Sequence, residues 1–152
     1  MKVIFLDFDG VLNNTGYRNS AKDYYEDFID ESRMPLLKYI VDSTGAVIVL
    51  TTTWRHYWSE DETDTSLATS KINAIFNKYG LKIHSKTGSF HEQRDYEIRM
   101  FLCCNDVDNY VIVDDVDFGW SEINRGKFVK TDDSKLGLDE CSAAEAIRIL
   151  NQ

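Results

Sequence analysis

The chain has 152 residues, of which 43% are apolar and 28% charged; the length suits one well-cored domain, and the composition excludes intrinsic disorder. The net charge of −9 excludes the broad basic surface of a general nucleic-acid-binding protein, so we expect no extended nucleic-acid interface, although a local basic groove stays compatible. No stretch approaches the roughly 18–20 apolar residues of a membrane span, and the N-terminal apolar run is too short for a signal-peptide core, so we expect no membrane partner and a cytoplasmic location.

The first half of the chain alternates short β-branched runs with segments of helical period. "KVIFLD" (2–7) predicts a strand buried on both faces, and "AVIVL" (46–50) predicts a second strand. Between them, residues 32–45 space their apolar side chains along one helical face, with a serine and a proline near the start and a glycine at the end. Residues 67–79 repeat this helical spacing and are also followed by a glycine, so they predict a second helix.

The second half of the chain continues the alternation. Its predicted elements are a weak strand at "LKIH" (81–84), a helix over 92–103, a strong strand at "YVIVDD" (110–115) and a last strand at "KFVKT" (127–131). A C-terminal helix is predicted to begin at Ser142, because Ser142 and Glu145 have the spacing of a capping box. The cysteines Cys103, Cys104 and Cys141 match no disulfide framework or zinc pattern, and we expect reduced, mostly buried thiols.

This alternation of strands and helices predicts the fold class. Continuous apolar strands separated by helices indicate an α/β protein, a three-layer α/β/α Rossmann-like arrangement with a doubly wound parallel sheet of about five strands. Neither a repeat nor a linker is evident, so residues 1–152 are interpreted as one domain. The irregular stretches 13–31 and 55–66 both follow strands, and we expect them to lie over the edge of the sheet where ligands bind.

Polar side chains follow the three strongest predicted strands. Asp7 and Asp9 follow the first strand, the threonines 51–53 follow the second, and Asp114 and Asp115 end the third, with another aspartate at position 117. The carboxyl ends of strands in an open parallel sheet share one crevice, so these groups should converge. For any one of these clusters alone, a solvated strand end or a turn cap is the ordinary explanation, whereas their joint occurrence favours a site.

Carboxylates gathered in one crevice require a compensating charge. Two like charges ~4 Å apart repel by ~4 kcal/mol at an effective dielectric constant near 20, so the cluster needs a cation or shared protons. Oxygen ligands without histidine or cysteine favour Mg²⁺ over zinc or copper. Because Mg²⁺ keeps several waters and binds phosphate oxygens, the sequence predicts a magnesium site for a phosphorylated substrate.

These residues together resemble the four motifs of the haloacid dehalogenase-like (HAD) phosphohydrolases. The motifs are "DFDGV" at the first strand, Thr51 after "VIVL", Arg94 at the start of a helix, and "VIVDD". The resemblance extends over essentially the whole chain. The segments "TTTWR", "RDYEI" and "KTDDSKLGL" further resemble a small HAD branch related to phosphatase domains of RNA-repair proteins.

The resemblance implies roles for the residues of the first and fourth motifs. Asp7 would be the nucleophile that forms an aspartyl-phosphate, and Asp9 the general acid and base. The implied metal ligands are the carboxylates of Asp7, Asp9 and Asp114 or Asp115, together with the backbone carbonyl of Phe8. The presence of Asp9 favours phosphatase or phosphotransferase chemistry over dehalogenation, because HAD dehalogenases lack this second aspartate.

The resemblance also implies the groups that bind phosphate. Thr51 would hold phosphoryl oxygens, with Thr52 as the alternative for that position. Arg94 would stand where the family usually has a lysine. An arginine there replaces the point charge of an ammonium group with a guanidinium that can donate to two oxygens. Lys86 is the alternative basic residue. Arg55 would either contact a phosphate or pair with a nearby acid.

Few residues are left over for a cap domain. The gap near 13–31 has room only for a loop or short helix, so the expected cap is minimal or absent, and an open cleft in this family often accompanies large substrates. Six aromatic side chains fall in the irregular stretches and either pack the loops or stack on a substrate ring: Tyr17, Tyr24, Tyr25, Trp54, Tyr57 and Trp58.

The expected activity is therefore Mg²⁺-dependent hydrolysis of a phosphomonoester, with a nucleotide or a nucleic-acid 3′-phosphate among the candidate substrates. The alternatives are a small-metabolite phosphatase or phosphotransferase, and a HAD-like module that binds phosphate or regulates without turnover. A receiver-type domain also gathers acids at strand ends, but it does not need the "DFDG" spacing. The sequence leaves the oligomeric state open.

Overall fold

A computed structural model describes residues 1–23, 27–61, 63–91 and 93–152. Its strands are β1 (Lys2–Leu6), β2 (Val47–Leu50), β3 (Ile83–Lys86), β4 (Asn109–Asp114) and β5 (Phe128–Lys130). Its helices are α1 (Thr15–Ser20), α2 (Met34–Thr44), α3 (Leu67–Lys78), α4 (Arg94–Cys104), α5 (Glu122–Arg125) and α6 (Glu140–Leu150), and 3₁₀ turns occupy Glu31–Arg33 and Thr53–His56.

The strands form a parallel sheet with the order β3-β2-β1-β4-β5. The chain runs outward from the central β1 to β2 and β3, then crosses back to β4 on the other side of β1. The order of the strands therefore reverses between β1 and β4. In open α/β sheets the crevice outside the carboxyl ends at such a reversal is the usual place for a ligand, and it is here that Asp7 and Asp114 meet.

Alternate side chains of each strand enter two separate cores. Ile4 and Leu6 of β1 pack in a cluster with residues of α2, α3 and α6. Val3 and Phe5 point to the other face, where they pack with residues of α4 and with Trp120. Helices thus cover both faces of the parallel sheet, and the predicted three-layer α/β/α fold is confirmed.

Local residue chemistry explains where α2 ends and where α6 begins, and the start of α6 differs from the prediction. Gly45, with a φ of 68°, ends α2 in the left-handed region. Helix α6 begins at Glu140 rather than at Ser142, because Asp139 is the N-cap and Ser142 is the third helical residue. The Asp139 carboxylate accepts a hydrogen bond from the Ser142 N–H, and the Ser142 hydroxyl accepts one from the Asp139 N–H. The predicted start at Ser142 was therefore wrong.

The cysteines differ from the prediction, whereas the described part of the stretch after β1 agrees with it. Cys103, Cys104 and Cys141 are free thiols, but they are exposed rather than buried, since they occupy the outward sides of α4 and α6. Within the described parts of 13–31, the chain forms the six-residue α1 and begins a 3₁₀ turn.

No helix in the described ranges is long and apolar enough to cross a membrane.

Candidate active site

Backbone hydrogen bonds align the residues that follow the central strands. The N–H of Asp7 donates to the carbonyl of Val113 at 3.1 Å, and the N–H of Thr51 donates to that of Leu6 at 3.0 Å. These bonds extend the pairing of β1 with β4 and β2 by one residue. The polar side chains after β1, β2 and β4 consequently lie along one edge of the sheet, where the sequence predicted them.

Three carboxylates converge at this edge. Oxygen atoms of Asp7, Asp114 and Asp115 all lie within 4.8 Å of one another, and the first two side chains are buried. Burial raises the pKa of Asp7 to about 6, although nearby Arg94 and a hydrogen bond from Thr52 act in the opposite direction. Burial, reinforced by the charge of Asp7, raises the pKa of Asp114 to about 8. The cluster could bind a metal ion, because a divalent cation would relieve this repulsion with the oxygen ligands it prefers.

Gly10 allows the third carboxylate to approach the turn after β1. Its φ is +73°, and a Cβ atom added there would lie 2.3 Å from Cγ of Asp115. A side chain at this position would displace Asp115 as well as strain the backbone. The glycine of "DFDG" is therefore needed for the geometry of the carboxylate cluster.

The Phe8 carbonyl does not have the role predicted for it. The Phe8 ring is fully buried. Its carbonyl oxygen, however, accepts hydrogen bonds from the N–H groups of Val11 at 3.1 Å and Leu12 at 2.7 Å. Both lone pairs close the turn after β1, so the prediction of Phe8 as a metal ligand was wrong.

Asp9 lies outside the three-carboxylate cluster. Its Oδ1 atom accepts a hydrogen bond from Nδ2 of Asn13 at 2.8 Å, and its Oδ2 atom accepts one from Nε1 of Trp54 at 3.2 Å. Asn13 is itself fixed, since its Oδ1 atom accepts from the Gly10 N–H and from Arg18. This arrangement disagrees with a metal-binding role for the Asp9 carboxylate and orients it as a separate group beside the cluster.

Arg94 is the basic residue that acts on Asp7. It is buried, and its charge lowers the pKa of Asp7. One weak hydrogen bond of 3.3 Å joins its Nη2 to Thr53, while Nε and Nη1 have no hydrogen-bond partner among the described residues. The alternative, Lys86, instead donates to the backbone carbonyls of Arg55 and Trp58. The arrangement favours Arg94 for the role that the resemblance implied.

The two candidate threonines differ in their surroundings. Thr51 is buried, and its hydroxyl has no hydrogen-bond partner among the described residues. Thr52 hydrogen-bonds to Asp7, and its hydroxyl also accepts from the Trp54 N–H at the start of the 3₁₀ turn. The Thr51 hydroxyl thus keeps its hydrogen-bonding capacity, whereas the Thr52 hydroxyl is already used to position Asp7 and the turn.

Arg55 is not available to a phosphate. Its guanidinium is buried, with Nη1 donating to the carbonyls of Thr51 and Thr52, and Nη2 donating to both carboxylate oxygens of Glu97 at 3.0 Å. Of the two roles considered for Arg55, pairing with an acid is the one observed, and its assignment as a phosphate-binding residue was wrong. The pair joins the loop after β2 to the helix that carries Arg94.

Two functional neighbours were missed in the sequence. Asn13, four residues after Asp9, orients that carboxylate. Glu97 accepts from Arg55 and also from the Phe90 N–H. A signal for Glu97 existed in the sequence, because Arg94 and Glu97 lie on the same helix face as the buried Ile98 and Phe101. Charged residues on an apolar helix face usually have buried partners.

Of the six aromatic residues named in the sequence analysis, Tyr24 and Tyr25 lie outside the described residues.

The parallel sheet has acids at its reversal point, a hydroxyl without a hydrogen-bond partner among the described residues and an arginine with two such nitrogens. These features are typical of a HAD-type hydrolase-like domain. A family model described as the HAD domain in Swiss Army Knife RNA repair proteins matches residues 3–143. The chain belongs to this family, and the predicted resemblance is confirmed. Comparisons with curated proteins and with solved structures give no significant match.

Proposed function

We propose that the protein is a Mg²⁺-dependent phosphatase that hydrolyses a phosphomonoester through an aspartyl-phosphate. One observation carries this proposal: a cation-binding half and an anion-binding half meet at Asp7. Asp7, Asp114 and Asp115 bring carboxylate oxygens within 4.8 Å of one another, while Arg94, whose charge acts on Asp7, and the Thr51 hydroxyl have donors without a partner among the described residues. A phosphoryl group bound together with a divalent cation satisfies both halves at once.

The first step is phosphoryl transfer to Asp7. A carboxylate oxygen of Asp7 attacks phosphorus, the bond from phosphorus to the leaving alcohol oxygen breaks, and that oxygen takes the electron pair. Asp9, held by Asn13 and Trp54, gives the leaving oxygen its proton. In the second step Asp9 removes a proton from water, the water oxygen attacks phosphorus, and the released Asp7 carboxylate and inorganic phosphate complete the cycle.

The remaining groups balance charge. Arg94 and Thr51 donate hydrogen bonds to the equatorial phosphoryl oxygens, whose charge must be stabilised during transfer. The residues that would hold Mg²⁺ are Asp7, Asp114 and Asp115, and the bound ion would neutralise both these carboxylates and the phosphoryl group. The three-carboxylate, oxygen-only arrangement fits such a hard cation.

For the substrate we propose a chemical class rather than one compound. The family description refers to RNA repair proteins, and this supports a nucleotide or a 3′-phosphorylated nucleic-acid end. The net charge of −9 favours recognition of a terminus over binding along an extended strand.

The test is an assay of purified protein with p-nitrophenyl phosphate and Mg²⁺. We expect phosphate release that stops with EDTA, returns with added Mg²⁺, and falls by at least about 10³-fold in kcat in Asp7→Asn. Asp106→Asn, which alters an exposed aspartate at the opposite end of the strands from the carboxylate cluster, is the matched control. Equal release by wild type and Asp7→Asn would show that the catalytic assignment is wrong.

A further inference from the structure

A largely apolar cavity borders Trp54, whose indole donates to Asp9, and no step proposed above uses the cavity. It has a volume of about 350 Å³ and opens between the 3₁₀ turn after β2 and the first turns of α3. Its apolar walls are Phe28, Trp54, Tyr57, Leu67, Ala68 and Ile72, and the charged residues Asp23 and Lys71 complete the lining. The cavity is large enough for a planar ring system, and three of its walls are aromatic.

Trp54 connects this cavity to the reaction. Its indole stacks on the Phe28 ring with a centroid distance of 4.2 Å and an interplanar angle of 16°. Its Nε1 atom donates to Oδ2 of Asp9 at 3.2 Å. Because Asp9 would deliver the proton to the leaving oxygen, the cavity lies on the side of the site to which the leaving group departs.

The outer walls of the cavity expose apolar surface. The Tyr57 side chain is 61% exposed and Leu67 is 70% exposed, and the Tyr57 ring lies 6.0 Å from the Trp54 ring. Large exposed apolar groups that border a concave site are typical of ligand-binding surfaces. An aromatic ring inserted here would contact Trp54 and Tyr57 and would cover Leu67.

We infer that this cavity, defined by Phe28, Trp54, Tyr57, Leu67, Ala68 and Ile72, is the subsite for a planar heteroaromatic ring carried by the leaving group, a nucleobase on the leaving alcohol. This inference rests on the proposed function for its placement of the leaving group. The ring binds in the cavity while the phosphoryl group binds at Asp7, so the subsite selects substrates by their alcohol portion.

Two substrates with the same reacting bond test the subsite. Adenosine 5′-monophosphate and ribose 5-phosphate are both esters of a primary ribose hydroxyl, and they differ in the base. Stacking on aromatic side chains contributes about 1–3 kcal/mol per base, which corresponds to roughly a 5- to 150-fold preference. We therefore expect kcat/KM to favour adenosine 5′-monophosphate by about tenfold or more.

Two variants assign the preference to the cavity. Ala68→Leu fills it from the first turn of α3, and we expect the preference to fall close to unity. Ala74→Leu makes the same change at an exposed position of α3 that does not line the cavity, and we expect it to keep the preference. Tyr57→Ala should lower the preference about fivefold, whereas Tyr39→Ala, which alters a similarly exposed tyrosine of α2, should not.

Binding of adenosine alone, measured by equilibrium dialysis, separates the subsite from catalysis. We expect wild type and Asp7→Asn to bind adenosine and Ala68→Leu to lose most of that binding. If adenosine binds in this pattern while no phosphatase activity is found, the subsite stands and the proposed function fails. If activity is found but the preference is near unity, or survives Ala68→Leu unchanged, the phosphatase stands and the subsite is overturned.

Discussion

Two buried arginines, Arg55 and Arg94, lie at the same edge of the sheet in opposite states. Arg55 is 1% exposed and donates to four acceptors, two backbone carbonyls and both oxygens of Glu97, and only its Nε atom makes no hydrogen bond to a described residue. Arg94 is 5% exposed, makes one 3.3 Å hydrogen bond to Thr53, and has two nitrogens without a partner among the described residues. The two guanidinium groups are thus similarly buried, but Arg55 makes many more hydrogen bonds than Arg94.

The difference separates a group that holds the site from a group that acts in it. A buried charge is costly unless its hydrogen bonds are made, and Arg55 meets that condition at both of its terminal nitrogens, through two backbone carbonyls and the Glu97 carboxylate. Arg94 does not, and its neighbour Asp7 has a raised pKa. We interpret the open donors of Arg94 as binding capacity that a phosphoryl group fills, while Arg55 and Glu97 fix the two elements that carry Thr51 and Arg94.

The largest expected effect on stability is that of breaking the Arg55–Glu97 pair. Arg55→Ala leaves the Glu97 carboxylate buried and unpaired, so we expect the free energy of unfolding to fall by roughly 3–5 kcal/mol. Urea denaturation followed by circular dichroism measures it. Arg99→Ala removes an arginine from the exposed pair with Asp95 and should cost about 1 kcal/mol or less. Similar costs for both variants would contradict the structural role of Arg55.

Replacing Arg94 should give the opposite result, with activity lost and the fold retained. Arg94→Ala removes donors to the phosphoryl group, and we expect kcat to fall by about 10²–10³-fold, with less destabilisation than in Arg55→Ala. Arg94→Lys keeps the positive charge but not the forked guanidinium donors, so its activity should lie between those of wild type and Arg94→Ala. Steady-state kinetics and urea denaturation on the same preparations test this; full activity in Arg94→Ala would show that Arg94 does not serve the reaction.

A smaller effect concerns the pH dependence of stability in metal-free protein. Burial raises the pKa values of Asp7 and Asp114 above their usual 3.8, to about 6 and about 8. The folded protein therefore binds these protons more tightly than the unfolded chain. The stability from this protonation is fully present below about pH 4 and is lost as the pH rises through 6 and 8.

The variant Asp114→Asn isolates this contribution. In EDTA, its free energy of unfolding relative to wild type should rise between pH 5 and pH 9 by about 1.4 kcal/mol or more, the equivalent of one pKa unit. Asparagine keeps an oxygen that can accept the Val116 N–H, which Oδ1 of Asp114 accepts in the structure. Asp106→Asn is the control at an exposed site. A difference that does not change with pH would show that Asp114 is already ionised in the fold.

The sequence predicted the groups whose position depends on strand ends, and it failed where a partner is distant in the chain. Asp7, Thr51 and Asp114 follow apolar runs, so strand topology alone brings them together. Arg55 was ambiguous because its partner, Glu97, is 42 residues away. The Phe8 carbonyl was assigned to a metal from the family resemblance, and the closure of the turn after β1 by backbone N–H groups leaves no mark in the residue types that could have corrected it.

Helix starts show the same limit. Asp139 and Ser142 are both favourable N-cap residues, so local chemistry could not decide between them. In the structure the Leu138 N–H donates to the Val11 carbonyl, which fixes the chain just before Asp139. A long-range contact thus holds the chain next to Asp139, where the local capping box with Ser142 begins α6.

The most direct test of the account is the pre-steady-state reaction of Asp9→Asn with p-nitrophenyl phosphate and Mg²⁺. The p-nitrophenolate ion leaves without protonation, so Asp7 can still be phosphorylated, whereas the water that releases phosphate is no longer activated. We predict a burst of p-nitrophenolate close to one per protein molecule, with the phosphoryl group recovered on the peptide that contains Asp7. Turnover by wild type, with neither a burst nor a modified Asp7 peptide in Asp9→Asn, would contradict Asp7 as the nucleophile.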